Sequence, residues 1–172
     1  MIQLAEQERL SLPEEDKIKR VCFICTGNTC RSPMAAAVAN HLAKQFVQAD
    51  SGQPIEAFSA GLYAMEGEPV ATNAVLALEE QGIQPAAAFD YHAHRAHTLQ
   101  ESEAEKFDLL IGLSGQHVME LLLRFPHLAN KIIAMPRAIF DPYGGDLILY
   151  ETCLQQIIDG VKELLFSEEA EK

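Results

Sequence analysis

The sequence has no tryptophan, few aromatic residues of any kind (7%) and little positive charge. Its 13 Lys and Arg residues are outnumbered by 25 Asp and Glu residues, so the formal net charge is −12. A surface this acidic is unsuited to general binding of nucleic acid or of an anionic membrane, and any anionic substrate must be captured by a local site. The 172 residues are still 48% hydrophobic, which is enough to bury the core of one domain.

The sequence also lacks an apolar run close to the roughly 18 residues that cross a bilayer. Residues 1–19 are polar and charged, without the apolar core of a secretory signal, and are predicted to form an N-terminal extension to a single domain at 20–172. These absences predict a cytoplasmic protein with no membrane and no nucleic-acid partner. Only four cysteines are present, and the close spacing of Cys22, Cys25 and Cys30 favours reactivity or metal binding over a disulfide framework.

Short apolar segments alternate with amphipathic or alanine-rich segments along the domain. Strands are expected at 20–25, 54–60, 107–113 and 131–135, and helices at 32–46, 69–81, 115–124 and 148–166. Ser32 is predicted to cap the first helix and Pro33 to begin it, whereas Gly82 is predicted to end the second. The alternation predicts an α/β fold with a parallel sheet, in which ligands bind beyond the carboxyl ends of the strands.

The segment between the first strand and the first helix has the composition of an anion-binding loop. It reads CTGNTCRS from Cys25 to Ser32. Gly27 and Asn28 tolerate left-handed backbone angles, which lets successive N–H groups point at one tetrahedral anion. The amino end of the helix and the planar guanidinium of Arg31 add positive charge, which favours the thiolate form of Cys25 at the floor of the loop. The pattern predicts a nucleophile directed at phosphorus, with phosphate or another oxyanion in the loop and neither a metal nor a cofactor.

Four segments carry a resemblance to a known family. They are VCFICTGNTCRSPMA at 21–35, SAG at 59–61, HRA at 94–96 and DPYG at 141–144. Together they resemble the low-molecular-weight protein tyrosine phosphatase family, including its protein arginine phosphatase branch, over about residues 20–166. A Cys-x5-Arg spacing alone is weak evidence, but here the flanking strand and the Gly, Asn, Ser and Pro positions are in register with it. The resemblance implies a three-layer, flavodoxin-like fold with a four-stranded parallel sheet flanked by helices.

The resemblance also implies roles for individual side chains. The catalytic residues would be Cys25 as the nucleophile that becomes phosphocysteine, Arg31 as the phosphate ligand, and Asp141 as the general acid and base. The rest of the phosphate loop, its hydrogen-bonded support and the substrate slot would be formed by Thr26, Gly27, Asn28, Thr29, Cys30, Ser32, Ser59, His94 and Tyr143. Cys30 would lie near enough to Cys25 for a reversible disulfide that protects the nucleophile.

The substrate implied by the resemblance is a phosphorylated protein, and the enzyme would be a monomer or weak dimer. Hydrolysis of protein phosphotyrosine is the usual family activity and is the first prediction. Thr29 favours the alternative of a protein arginine phosphatase, because tyrosine-directed members commonly carry a branched apolar residue there and a second aromatic residue where this chain has Gly144. A threonine hydroxyl suits a polar phosphoramidate, and Asp141 could pair with a guanidinium, so both substrates stay open.

Three other functions fit parts of the pattern. A thiol-dependent arsenate reductase would need further cysteines to relay a disulfide, and beyond the loop only Cys153 in the predicted C-terminal helix is present. The spacing Cys22-x2-Cys25-x4-Cys30 could suggest metal or iron–sulfur ligands, but no fourth ligand is evident. A non-catalytic phosphopeptide-binding module would be expected to lack one of the three catalytic residues, and all three are present.

Overall fold

The computed structural model describes residues 17–48 and 53–167, so most of the predicted N-terminal extension lies outside the described residues. The strands are β1 (Lys19–Cys25), β2 (Ile55–Gly61), β3 (Leu109–Gly112) and β4 (Ile132–Ala134). The helices are α1 (Arg31–Gln48), α2 (Thr72–Glu80), α3 (Glu101–Ala104), α4 (Gly115–Arg124) and α5 (Leu147–Leu165), with a 3₁₀ helix at Pro126–Lys131. Within the described ranges, no helix has the length and apolarity that a membrane span requires.

The four strands form one parallel sheet in the order β2-β1-β3-β4. β1 pairs with β2 along its whole length, from Lys19 opposite Ile55 to Cys25 opposite Gly61, and pairs on its other side with β3. The strand order therefore reverses at β1, and parallel sheets of this kind bind ligands in the crevice beyond the carboxyl ends of the strands at such a point. The predicted α/β fold with a four-stranded parallel sheet is confirmed, and Cys25 lies at the ligand-binding edge.

The side chains of β1 alternate between two hydrophobic cores. Val21, Phe23 and Cys25 belong to the core that is completed by α1, α2 and α5. Cys22 and Ile24 belong to the core on the opposite face, which is completed by α3, α4 and the 3₁₀ helix. Helices thus cover both faces of the sheet, which explains why β1 is apolar at every position from Val21 onward.

The first helix begins one residue earlier than the sequence predicts. α1 starts at Arg31, so Ser32 lies within its first turn and is not the helix cap that the sequence predicted. The Ser32 hydroxyl instead contacts the side chains of Cys25 and Asn28. The side chain that was expected to stabilise the helix terminus therefore supports the loop.

The second helix begins later than predicted, whereas α4 and α5 match their predicted ranges closely. α2 starts at Thr72, because Pro69 forms an antiparallel bridge with Arg95 and so belongs to the connection instead of the helix. Gly82 follows α2 with a φ of 71°, as the prediction of a glycine helix end requires. The sequence did not predict α3 or the 3₁₀ helix, which are both short.

Candidate active site

The loop after β1 forms the floor of a cleft at the carboxyl edge of the sheet. The cleft has a volume of about 230 Å³ and is lined by Cys25, Thr26, Gly27, Asn28, Thr29, Cys30, Arg31, Asp141 and Tyr143. Cys25 is 3% exposed at its base, whereas Tyr143 is 78% exposed at its mouth. The three predicted catalytic residues therefore border one cleft, although Asp141 comes from the distant connection between β4 and α5.

The Cys25 thiol is surrounded by hydrogen-bond donors. The backbone N–H of Asn28 donates to Cys25 Sγ at 3.3 Å, and the Ser32 hydroxyl oxygen lies 2.9 Å from the same sulfur. Asn28 Nδ2 donates to Ser32 Oγ at 3.0 Å, so the single Ser32 proton can be directed either to the sulfur at 2.9 Å or to the more distant Ala60 carbonyl at 3.4 Å. These contacts fix the position of the Cys25 sulfur at the base of the cleft.

Asn28 is the centre of the hydrogen-bond network that supports the loop. Its φ is 59°, in the left-handed region that Asn tolerates better than most residues. Its Nδ2 donates to Ser32 Oγ and Ser59 Oγ, each at 3.0 Å. Its Oδ1 accepts from the backbone N–H of His97 and from His94 Nε2, each at 3.1 Å. The structure thus gathers the predicted support residues Ser32, Ser59 and His94 around one buried amide.

The two histidines that contact Asn28 differ in how readily their rings take up a proton. Burial, reinforced by the nearby His97, lowers the pKa of His94 to about 4, so this imidazole is neutral near pH 7 and donates through Nε2–H. The pKa of His97 is raised, chiefly by its hydrogen bond to Glu103 at 2.7 Å. A neutral donor therefore faces the loop, and the more basic ring is paired with a carboxylate.

The Arg31 guanidinium is held by the connection between β4 and α5. Its Nη1 donates to the carbonyl of Ile139 at 3.2 Å, and its Nη2 lies 3.4 Å from the Asp141 carboxylate. That carboxylate also accepts from the backbone N–H of Tyr143 at 3.1 Å. The Asp141 side chain is 55% exposed, against 9% for Arg31. Arg31 is therefore fixed within the cleft, while Asp141 is accessible at its mouth.

Thr29 and Cys30 form another part of the cleft wall. Thr29 Oγ1 lies 3.6 Å from Cys30 Sγ, which in turn lies 3.2 Å from the Tyr150 hydroxyl. Burial raises the pKa of the Cys30 thiol, so Cys30 is protonated near neutral pH. Cys25 and Cys30 are both free, and the reversible disulfide between them stays a prediction.

Two side chains that contact the loop were missed by the sequence analysis. His117 at the start of α4 is buried and lies 3.0 Å from Thr26 Oγ1, and Tyr150 at the start of α5 contacts Cys30. His117 could have been predicted from its position. It lies in the first turn of a helix that follows a parallel strand, and such a helix begins at the edge of the sheet where ligands bind. No feature of the sequence marks Tyr150.

Comparison with known proteins extends the similarity beyond the loop. Residues 20–172 match the family model described as low molecular weight phosphotyrosine protein phosphatase. A protein-arginine-phosphatase of Geobacillus stearothermophilus is 31% identical over 160 residues, covering 87% of this chain and 98% of that protein. A probable low molecular weight protein-tyrosine-phosphatase, EpsP of Ralstonia solanacearum, is 31% identical over 148 residues, covering 84% of this chain and 92% of that protein. The solved low molecular weight protein tyrosine phosphatase of T. tengcongensis aligns with a TM-score of 0.75 at 32% identity, covering 86% of this chain and 97% of that one.

Proposed function

The chain belongs to the low molecular weight phosphotyrosine protein phosphatase family, and from this membership we propose that it hydrolyses phosphoarginine in proteins through a phosphocysteine intermediate. That it is a phosphatase follows from the family and from the names of its relatives. The mechanism and the choice of substrate are our proposal. The observation that carries this choice is the presence of Thr29 in the cleft wall, where a polar leaving group would meet a hydroxyl.

The first chemical step transfers the phosphoryl group to sulfur. Cys25 Sγ attacks phosphorus, forming an S–P bond as the bond to the leaving nitrogen breaks, and Asp141 gives its proton to that nitrogen. The loop N–H groups and the guanidinium of Arg31 stabilise the equatorial oxygens, which is where phosphoryl transfer needs most help. The buried sulfur at the base of the cleft and the accessible carboxylate at its mouth suit this division of roles.

The second step releases phosphate. A water attacks the phosphocysteine, the Asp141 carboxylate takes a proton from that water, and the S–P bond breaks to restore the thiolate. Ser32 Oγ, 2.9 Å from Cys25 Sγ, donates a hydrogen bond to the sulfur as negative charge returns to it. The same side chains thus serve both steps, with Asp141 acting first as an acid and then as a base.

The preference for phosphoarginine is supported by the polarity of the cleft. A guanidinium leaving group is cationic once protonated, and both the Asp141 carboxylate and the exposed ring face of Tyr143 attract cations. The similarity to a protein-arginine-phosphatase points in the same direction. Gly144 carries less weight than the sequence suggested, because its φ of 76° favours glycine whatever the substrate is.

Phosphotyrosine is the second candidate substrate. The Tyr143 ring at the cleft mouth is suited to stacking on a phenol, and one relative is named as a probable protein-tyrosine-phosphatase. The Thr29 hydroxyl should affect the two candidate substrates differently. A hydroxyl assists a leaving group that carries N–H donors, whereas a phenyl ring packs better against an apolar side chain.

Matched peptides that carry phosphoarginine or phosphotyrosine at the same position test the proposal. We expect wild type to favour phosphoarginine in kcat/KM, and Thr29→Ile to lower that preference by about tenfold, the value of one hydrogen bond. Thr29→Ser keeps the hydroxyl and should keep the preference. Cys25→Ser should release no phosphate from either peptide.

Other outcomes would favour the remaining candidates. A preference for phosphotyrosine that is unchanged in Thr29→Ile would favour the second substrate. Binding of both peptides by wild type without phosphate release would favour a phosphopeptide-binding module. Reduction of arsenate with thiol as the reductant, without phosphatase activity, would favour an arsenate reductase.

A further inference from the structure

Thr26, the residue that follows the nucleophile, is held in the cleft wall by two elements outside the loop. Its carbonyl accepts hydrogen bonds from the backbone N–H groups of Leu62 and Tyr63 at 3.1 and 3.0 Å. Its hydroxyl lies 3.0 Å from His117 Nε2. Thr26 is exposed at the cleft, whereas His117 is only 4% exposed. A side chain that faces the substrate is thus oriented by one that the substrate cannot touch.

His117 is itself held on its other side. Its Nδ1 lies 3.0 Å from the hydroxyl oxygen of Ser114, which precedes α4 but does not cap a backbone N–H of that helix. Burial, reinforced by the positive charge of Arg31, lowers the pKa of His117 to about 4, so the ring is neutral near pH 7. A neutral imidazole has one donor and one acceptor nitrogen, and two hydroxyl partners satisfy both.

We propose that His117 is a positioning residue for substrate specificity, which turns the lone pairs of the Thr26 hydroxyl toward the N–H groups of a phosphorylated guanidinium. In this arrangement His117 Nδ1–H donates to Ser114, and Thr26 donates its proton to His117 Nε2. The remaining lone pairs of Thr26 Oγ1 then face the cleft as acceptors. The inference rests on the proposed function, because it assigns a second hydroxyl, besides that of Thr29, to recognition of the same leaving group.

The chemistry of the two candidate leaving groups makes this role selective. A guanidinium presents several N–H donors beside the phosphoryl group, whereas the bridging oxygen of phosphotyrosine presents none. An acceptor fixed by His117 therefore assists the first substrate and has nothing to bind on the second. The binding of inorganic phosphate should also not depend on this acceptor, because in the proposed function the loop N–H groups and Arg31 bind that ion.

Two substitutions of His117 separate the contact to Thr26 from the contact to Ser114. The amide of His117→Gln reaches about as far as Nε2 and can still contact Thr26, whereas the amide of His117→Asn reaches only as far as Nδ1. For the phosphoarginine peptide, kcat/KM should fall about tenfold in His117→Asn and in Thr26→Val, the value of one hydrogen bond. The double variant should fall no further than either single variant, since both changes remove one interaction. His117→Gln should stay close to wild type.

The controls distinguish positioning from general damage to the loop. The inhibition constant of inorganic phosphate and the kcat/KM for the phosphotyrosine peptide should stay within about twofold of wild type in both His117 variants. His127→Asn changes an exposed histidine of the 3₁₀ helix and should alter nothing. A loss in His117→Gln equal to that in His117→Asn, an additive double variant, or a parallel loss of phosphate binding would each overturn the inference.

Failure of the proposed function would look different. Wild type would then prefer the phosphotyrosine peptide in kcat/KM, or release no phosphate from the phosphoarginine peptide, whatever residue stands at position 117. The ¹⁵N spectrum of the His117 ring tests the underlying contact separately. We expect a neutral ring with the proton on Nδ1 and a shift of the Nε2 signal in Thr26→Val. A proton on Nε2, or no shift, would contradict the proposed orientation of Thr26.

Discussion

Asn28 combines two properties that few residue types offer together. Its backbone adopts a φ of 59°, and its side chain donates to two hydroxyls and accepts from two N–H groups. Glycine would permit the backbone angle but would leave Ser59 and His94 without this partner, and aspartate would lack the donor half of the amide. Asparagine is therefore required here both by the backbone angle and by the hydrogen-bond partners of its side chain.

The general-acid role proposed for Asp141 predicts that Asp141→Asn depends on the leaving group. Hydrolysis of substrates with a basic leaving group should slow by about 10²- to 10⁴-fold, because asparagine cannot supply a proton. An activated aryl phosphate, whose leaving group needs no proton, should slow far less. Steady-state rates on a series of aryl phosphates check this. Asp146→Asn, which keeps an acceptor for the Leu149 N–H at the start of α5, is the matched control. An equal loss on every substrate would remove Asp141 from this role.

The buried histidines predict a loss of stability in mild acid. The pKa of His117 is lowered to about 4 by burial, against about 6.5 in an unfolded chain. Between these values the unfolded chain binds a proton that the folded protein does not, so the free energy of unfolding falls as the pH falls, by up to about 1.4 kcal/mol per unit. His94 acts in the same direction. His97, whose pKa is raised, acts in the opposite one, and its contribution is lost as the pH rises through that pKa.

Urea unfolding of wild type and His117→Gln across this pH range measures the effect. The variant keeps His94, His97 and all carboxylates, so the comparison isolates one histidine. Its free energy of unfolding should depend less steeply on pH than that of wild type. Equal slopes in the two proteins would show that His117 titrates alike in the folded and unfolded states.

At the scale of secondary structure, the loop depends on the elements around it. The end of β2 lies against it, with the N–H groups of Leu62 and Tyr63 donating to the Thr26 carbonyl. The start of α4 supplies His117, and the segment before α3 supplies His94. The loop conformation thus depends on contacts from several elements and not only on the residues of the loop itself.

Gly61 at the end of β2 shows how close this packing is. A Cβ at this position would lie 2.8 Å from the Thr26 carbonyl oxygen and 3.1 Å from Asn28 Cβ. Gly61→Ala should therefore displace the loop and reduce kcat/KM by about a hundredfold, as expected for misplacement of reacting groups by about 1 Å. Gly115→Ala is the matched control, since its Cβ would meet nothing within 4 Å and alanine is the better helix former. Activity assays and thermal melts of both variants check this, and an active Gly61→Ala would contradict it.

At the scale of the whole molecule, a cleft that contains one arginine, Arg31, paired with Asp141 is set into an acidic protein. The net charge of −12 repels small anions at long range, but salt limits this effect to about 10 Å. In the proposed function, phosphate is therefore captured by the Arg31 guanidinium and the loop N–H groups, and a substrate with cationic flanking residues is attracted to the acidic surface. The cytoplasmic location and the oligomeric state stay predictions of the sequence.

The sequence by itself determined the parts of this protein that depend on local pattern. The apolar segment of β1 and the helix-forming segments specified a parallel α/β fold, because strand burial and helix termini are encoded by neighbouring residues. The loop composition predicted an anion-binding loop at Cys25–Arg31, which stays a prediction. The roles predicted for Ser59, His94 and Asp141 depend on the resemblance to a family, because these residues lie far from the loop in the chain and no local pattern marks them.

Tertiary structure alone decided the contacts between distant segments. His117, Tyr150 and the Ile139 carbonyl reach the loop from α4, α5 and the connection between β4 and α5, and only the parallel order of the strands brings their carboxyl ends to one edge. The same packing made Ser32 a partner of the Cys25 sulfur instead of a helix cap. Hydrogen bonds between residues far apart in the chain depend on how the helices pack against the sheet, and a local sequence pattern does not predict that packing.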